Sequence, residues 1–284
     1  MKEENLIKIL KEYSIDDIKS IKDLGFNQYE IELQSKNPII IKFFPPEEKE
    51  FIDERVKKIK KLYDSEELTP NYIFGELSDE EIFLLWEKGK ALENKNFEFG
   101  EKLGKFLKKY HSEFQSNSDD WKRDFNHKIV LFLHNYYMSK HNGSKDYIIL
   151  DYLTENKYLI SDRTPSLLLG IENILNINVD EEGRLSNIDL SNGMLADPYF
   201  EFKNLNFLKD DDLDFVKGIV NGYFENSSTI LFFKTIALYT IMEYLYEEFE
   251  DYKNVNHQAI NEKIDKILEI YSDFTDIYPN WFKN

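Results

Sequence analysis

Lys42 closes the apolar run Ile39-Ile40-Ile41. A lone ammonium on a strand bound for burial must find an anion or turn outward, because desolvating an unpaired charge is costly. Glu54, twelve residues on, is a partner of opposite charge in the segment that follows. Upstream, Leu24-Gly25-Phe26-Asn27 offers a tight turn suited to lying over a bound phosphate, so one reading of this cluster is anion binding and the other is a structural ion pair. Other groupings point to packing rather than chemistry. The stretch 100–106, GEKLGKF, has three residues between its glycines where a phosphate loop has four, and Phe106 where that loop needs a hydroxyl. It also falls inside a helical pattern, where small residues allow close packing. His127, His134 and His141 recur every seven residues, which on one helix spaces neighbours by about 10 Å, too far for a shared metal. Surface or packing roles are expected for them. The acidic run 210–212 lacks the alternating ligands and glycine of a calcium loop and reads as a solvated helix start.

The elements that must position these residues follow from periodicity. Residues 21–44 alternate apolar and polar positions, break at 35–38 and resume at Ile39, as paired strands do. Pro45-Pro46 ends the last strand, and Ile52, Val56, Ile59 and Leu62 then follow helical spacing. Residues 72–74 and 82–86, around a turn at 76–80, predict another hairpin. From Phe97 helices dominate. Leu103, Phe106, Leu107 and Tyr110 share one face, and 131–137, 146–153 and 213–252 are further helical stretches. The most apolar of these, 229–242, is interrupted by Lys234 and stopped by Glu243, so a buried core helix is expected rather than a membrane span. Within the helical part, 166–189 forms a β-prone island whose acidic turn 180–183 ends in glycine, which predicts a short hairpin. The outline is α+β. A small sheet-rich part covers 1–90, and a larger helical part, holding the segment 166–198, covers 91–284, with the boundary near 88–95.

Composition excludes several functions. The 284 residues carry 36 Lys and Arg against 54 Asp and Glu, a net charge of −18, and only four Arg: Arg55, Arg123, Arg163 and Arg184. Without a basic patch to neutralise phosphates, nucleic-acid binding is not expected. Cysteine is absent, which excludes disulfide scaffolds, thiolate zinc sites and cysteine nucleophiles. The start MKEENLIKIL has no long apolar run or small-residue cleavage site, so a cytoplasmic protein with no membrane partner is expected.

The order of elements resembles a known family. A strand, the Gly25 turn, a strand with Lys42, a helix with Glu54, a hairpin and the linker Leu84-Leu85-Trp86-Glu87 look like the N-lobe of the protein-kinase-like fold. The stretch 103–111, LGKFLKKYH, resembles the LGxxLxxLH helix of aminoglycoside phosphotransferases and choline kinases. Further on, Asn176, the turn 180–185 (DEEGRL), Ile188-Asp189 and Ala196-Asp197-Pro198 resemble, in order and near spacing, that family's HGDxxxxN loop, hairpin, ID strand end and GDP. The resemblance spans about residues 20–250 and implies a bilobal fold with a sheet-rich N-lobe and a helical C-lobe. It also implies an ATP and magnesium site. Gly25 and Asn27 would lie over the phosphates, Lys42 would hold them, Glu54 would orient Lys42, and Asn176 and Asp189 would ligate magnesium.

One departure matters for activity. Counting back from Asn176, the HGD motif falls on Leu169-Gly170-Ile171, so the catalytic carboxylate is replaced by Ile171 and no catalytic residue is assigned. Glu172 is adjacent, but neighbouring side chains on an extended segment point to opposite faces, which makes it a weak substitute. A positioned general base contributes typically about 10² to 10⁴ in rate, so ordinary phosphotransfer is expected to be very slow or absent. Three readings stay open. The first is a pseudokinase, or very weak kinase, that binds a nucleotide and acts through a protein partner. The second is an active ATP-dependent phosphotransferase with a displaced base, acting on a small hydroxylated or cationic molecule. The third is an interaction module that binds no nucleotide. The −18 charge would attract a cationic substrate and serves solubility equally.

Overall fold

The computed structural model describes residues 2–63, 68–78, 81–170, 174–186, 188, 190, 193–207, 212–225, 227 and 229–283. The chain forms two compact units. The first comprises Met1–Asn94, Leu169–Glu172 and Asn176–Gly193, and the second comprises Lys95–Leu168, Asn173–Leu175 and Met194–Asn284.

The first unit is built on an antiparallel five-stranded sheet. Its strands are β1 (Ile18–Gly25), β2 (Gln28–Leu33), β3 (Ile39–Phe44), β4 (Ile73–Ser78) and β5 (Glu81–Glu87), in the order β1-β2-β3-β5-β4. Both expected hairpins form, and the second is tighter than its sequence suggested, with β4 and β5 reaching Ser78 and Glu81. β1 is an edge strand, and its exposed Lys and Asp side chains suit an edge that must not recruit another strand. Period-two alternation gives the sheet two faces. Tyr29, Ile31, Leu33, Ile41, Phe43, Phe83 and Leu85 form one apolar face, which buries Leu6, Ile9 and Leu10 of α1 (Lys2–Glu12). Sequence reading took that N-terminal stretch only as a charged segment with a short apolar set. Its i, i+3, i+4 spacing is the signal that marks a packed helix. After Pro45, a 3-10 turn at Pro46–Glu48 leads into α2 (Lys49–Tyr63), which buries Ile52, Val56, Ile59 and Leu62 as their spacing predicted.

Two small strands continue this unit: β6 (Lys90–Ala91) and β8 (Asn178–Val179) pair antiparallel, Lys90 opposite Val179. The expected hairpin at 166–189 is therefore reduced. Val179 bridges Leu185 across the 180–184 turn, while β7 (Ser166–Leu167) pairs instead with β9 (Leu195–Ala196) in the second unit. Composition drew a division at residue 90, yet 176–193 groups with the sheet because its hydrogen bonds run to residues between 55 and 92.

The second unit is helical: α3 (Phe97–Glu113), α4 (Asp120–Ser139), α5 (Asp146–Asn156), α6 (Leu213–Phe224), α7 (Ile230–Leu245), α8 (His257–Ile270) and α9 (Asn280–Lys283). The stretch read as 213–252 is divided by Glu225, which ends α6 in the left-handed region with φ of 47°. α7 is buried over most of its circumference, which explains its apolar composition. Gly100 and Gly104 lie inside α3, where a Cβ would meet the Phe215 and Ile219 carbonyl oxygens of α6 at 2.1 Å each, so GEKLGKF is a helix-packing stripe. Among the described residues no helix is long and apolar enough to cross a membrane.

Candidate functional site

The turn between β1 and β2 holds Phe26 and Asn27, both left-handed with φ of 49° and 61°, which is the geometry of a two-residue hairpin loop. Gly25 beside them has φ of 80°, and its N–H donates to Asp23 Oδ1 at 2.7 Å. Nothing lies within 4 Å of where a Gly25 Cβ would be, so the turn has open space above it. Phe26, at the tip, is 95% exposed. A left-handed phenylalanine costs about 1 kcal/mol. Sequence reading singled out its neighbours and missed Phe26 itself. The available signal was an aromatic residue at a position that favours Asn or Gly.

Lys42 faces away from the α1 side of the sheet, opposite Gln28 on β2 and Leu84 on β5. It is 8% exposed, and its ammonium lies 5.5 Å from the centre of the Phe44 ring on the same face. Glu30 shares this face and binds Lys88 Nζ at 2.7 Å. Glu54 does not take the role expected of it. Its side chain is 64% exposed, and its carboxylate pairs with Lys58 at 3.0 Å, one helical turn on, rather than with Lys42. The reason is rotational. With Ile52, Val56 and Ile59 of α2 facing inward, position 54 falls on the solvent side, and the next residue, Arg55, turns inward to donate to the Leu190 carbonyl.

The segment 176–190 is tied to this unit along its length. Leu92 N–H donates to Ile177 O at 2.8 Å, Ser186 Oγ to Lys88 O at 2.9 Å, Leu185 N–H to Leu68 O at 3.0 Å, and Tyr72 Oη to Ile188 O at 2.6 Å. The turn itself is capped by Asp180, whose carboxylate accepts from the Glu182 and Arg184 N–H groups at 2.9 Å and from Arg184 Nε at 2.8 Å. Gly89 lies against this turn with φ of 67°, and a Cβ there would meet Ser186 Oγ at 2.0 Å and Val179 O at 2.5 Å. The approach of two backbones requires glycine at 89. Asn176 is exposed at the head of the segment. Gly25, Asn27, Lys42, Glu54 and Asn176 thus all belong to one unit. Asp189, Ile171 and Glu172 lie outside the described residues. Leu169, where the resemblance places a histidine, is fully buried.

In the second unit the motif-like residues are structural. His111 closes the LGKFLKKYH helix with Nδ1 3.1 Å from Tyr223 Oη and Nε2 3.5 Å from the buried Glu201 carboxylate. Asp197 accepts two bonds from Arg163, both at 2.9 Å, one from Tyr239 Oη at 2.6 Å and one from Tyr199 N–H at 3.0 Å. Burial, with the Asp197 charge and hydrogen bond added, holds the Tyr239 phenol well above the usual tyrosine range. His127 and His134 are exposed on α4, and His141 lies beyond its end, so the seven-residue spacing assembles no common face. Among the described residues no cluster of three or more His, Asp or Glu side chains is placed to hold a metal ion.

No family model matches the chain, and no curated protein matches it. Solved structures do. An aminoglycoside phosphotransferase from Alicyclobacillus acidocaldarius is 12% identical with a TM-score of 0.56, over 92% of this chain and 93% of that one. The amicoumacin kinase hAmiN, in complex with AMP-PNP, Ca2+ and Ami, is 12% identical with a TM-score of 0.52, over 98% of this chain and 96% of that one. The spectinomycin phosphotransferase APH(9)-Ia, in complex with ADP and spectinomycin, is 18% identical with a TM-score of 0.51, over 97% of this chain and 95% of that one. Taken with the five-stranded sheet, the Lys42 strand and the tethered 176–190 segment, these likenesses show that the chain has the α+β, protein-kinase-like fold of the aminoglycoside phosphotransferases.

Proposed function

We propose that this is an aminoglycoside-phosphotransferase-like protein of the cytoplasm that binds a nucleoside triphosphate with magnesium in its first unit and transfers phosphate very slowly or not at all. The observation that carries the reading is Lys42, a buried cation on the middle strand of the sheet, on the face away from α1. An ammonium held on a sheet face can receive phosphate oxygens through charge-assisted hydrogen bonds. The donor set fits a metal-bound nucleotide: one cation, a turn with open space above Gly25, and the exposed Asn176 amide beside the stretch that ends in Asp189. Magnesium, when bound, would neutralise charge on the phosphates, with Asn176 and Asp189 as its ligands. Lys42 would bind the α- and β-phosphates, the backbone of the Gly25–Asn27 turn would cover them, and Glu54 has no part in orienting Lys42. Solved structures of the same fold contain AMP-PNP or ADP, which supports a nucleotide as the ligand. Ile171 at the base position supports the absence of efficient transfer, since it cannot accept a hydroxyl proton.

Calorimetric titration with ATP and magnesium tests this reading. Saturable binding is expected, weakened at least tenfold, about 1.4 kcal/mol, by Lys42→Ala and by Asp189→Ala. A flat titration of the unaltered protein would instead leave the interaction module as the better reading. A turnover near 1 s⁻¹, about the low end for kinases, on an aminoglycoside or choline would show that a substitute base exists.

A further inference from the structure

The first unit holds a cavity of about 240 Å³ where β2 and β5 end and β3 and β4 begin, at the end of β2 remote from the Gly25 turn. Leu33, Ile39, Ile73 and Leu85 wall it, and all four belong to the apolar face that packs α1, opposite Lys42. Tyr72 and Trp86, whose rings meet edge to face with centres 5.8 Å apart, add aromatic surface. The polar side is built around Glu87, the last residue of β5. Its Oε1 accepts from Asn37 Nδ2 at 2.6 Å and from the Glu181 N–H at 3.1 Å, which holds the carboxylate in place. Its Oε2 accepts no bond from the described residues, and no cation among them pairs with it. Asn37 is 7% exposed, and its amide has one orientation, because a carboxylate can only accept and so must face the NH₂ group. The carbonyl Oδ1 of Asn37 is thereby left as a second open acceptor, with no donor among the described residues. Neighbouring charges are accounted for. Asp180 is filled by the N–H groups of its own turn and by Arg184. Lys36 and Glu181 at the rim carry opposite signs, so Glu87 sets the charge of the cavity.

We propose that this cavity is a binding site for a small flat cation, an aryl amidine or an aromatic amine, whose N–H groups donate to Glu87 Oε2 and Asn37 Oδ1 while its ring lies against the apolar wall. A delocalised planar cation offers adjacent donors in one plane and is weakly hydrated, which suits a preplaced carboxylate beside an amide carbonyl. Tyr72 and Trp86 add cation–π attraction. A polycation gains less here, because one carboxylate is open and the wall is apolar. The chain's charge of −18 raises the local concentration of any cation. The site is separate from the Lys42 face and does not depend on nucleotide binding there. Glu181 and Ser186 both line it, so a bound ligand braces the 180–186 turn.

The test titrates the full chain with benzamidine and with benzoate, which keeps the ring and reverses the charge. Benzamidine should bind saturably with a Kd on the order of 1 mM, as suits so small a ligand, and benzoate at least about tenfold more weakly. Glu87→Gln, which keeps the size of the side chain, should weaken benzamidine by about tenfold, and Asn37→Ala by about threefold. Lys36→Met should strengthen it by about twofold, because a like charge leaves the rim. ATP with magnesium should leave the affinity unchanged, and saturating benzamidine should slow amide hydrogen exchange at 180–186. Absence of saturable binding, equal binding of benzoate, an unchanged affinity in Glu87→Gln, displacement by ATP, or unaltered exchange at 180–186 each overturns the proposal. Displacement by ATP would show that the amidine enters the nucleotide site instead. Should Glu87→Gln fail to fold, Lys36→Met decides through its sign: weaker binding of benzamidine in that variant overturns the cation reading.

Discussion

Two buried charges, one in each unit, were both legible as motif residues, and the structure treats them differently. Asp197 in the helical unit is enclosed by its partners: a two-pronged Arg163, the Tyr239 hydroxyl and a backbone N–H fill its oxygens. Lys42 in the sheet unit is also buried, yet the carboxylate expected to hold it is in solvent with Lys58. A motif residue whose task is to hold the fold together is recognised by partners that the fold itself supplies. For Lys42 the spacing to Glu54 named the wrong carboxylate, because the rotation of α2 and not the count of residues decides which side chain faces the sheet.

The strongest way to break that comparison is to remove each charge in turn. Asp197→Ala leaves the half-buried Arg163 without its carboxylate and should lower unfolding stability by about 3 kcal/mol. Lys42→Met keeps an apolar stem of similar length and should cost less stability than Asp197→Ala in chemical denaturation. Equal losses would make Lys42 a structural ion and remove the contrast.

Gly89→Ala sharpens the comparison within the sheet unit. The added methyl meets Ser186 Oγ and Val179 O in a left-handed conformation, so a loss of about 2–3 kcal/mol is expected, together with weaker nucleotide binding because the 176–190 segment must move. Thermal melts with and without ATP and magnesium would separate the two effects.

The helical unit carries a pH dependence that the sheet unit need not share. His141 Nδ1 faces His257 Nδ1 at 2.9 Å, and its Nε2 lies 3.3 Å from Asp146, whose carboxylate also accepts from Tyr136. Burial lowers the His141 pKa below the ordinary value of 6.5; Asp146 opposes the shift and His257 adds to it. The unfolded chain therefore takes up the proton more readily. Stability from this group is complete above pH 6.5 and is lost as the pH falls through 6.5 toward the lower folded value. A melting temperature that declines over this window in the unaltered protein, and declines less in His141→Gln, is the expected result.

The smallest effect belongs to the exposed turn. Replacing Phe26-Asn27 with Asn-Gly supplies the residues that this hairpin geometry favours and should raise stability by about 0.5–1 kcal/mol, read as a shift in denaturation midpoint. If Phe26 covers a bound nucleotide, the same change should weaken ATP binding even as it stabilises the fold.

Much of this architecture was legible because its signals are local. Alternation located β2, β3 and β5, the spacing of Ile52, Val56 and Ile59 located α2, and the acidic turn ending in Gly183 located a capped turn. What was not legible depends on rotation and on distant partners. Twelve residues separate Lys42 from Glu54, but whether they meet depends on which way α2 is turned, and that is decided by the apolar residues it must bury. Arg55 attracted no notice because its partner is a backbone carbonyl 135 residues away, which leaves no trace in side-chain types. The helix α1 was overlooked because its three buried residues lie among lysines and glutamates.

The first unit is not continuous in the chain: it takes residues up to Asn94, then Leu169–Glu172 and Asn176–Gly193. During synthesis at about 5–20 residues per second, roughly 5–20 s separate the emergence of the sheet from that of the segment that completes it. Throughout that interval the Lys88 carbonyl and the backbone of Lys90 and Ala91 lack their native partners, and the chain between must emerge without capturing them. A nascent chain halted before residue 176 should therefore be more readily cut by protease near 88–92 than one halted after 193, which makes the order of translation, and not only the finished packing, part of how this protein reaches its native state.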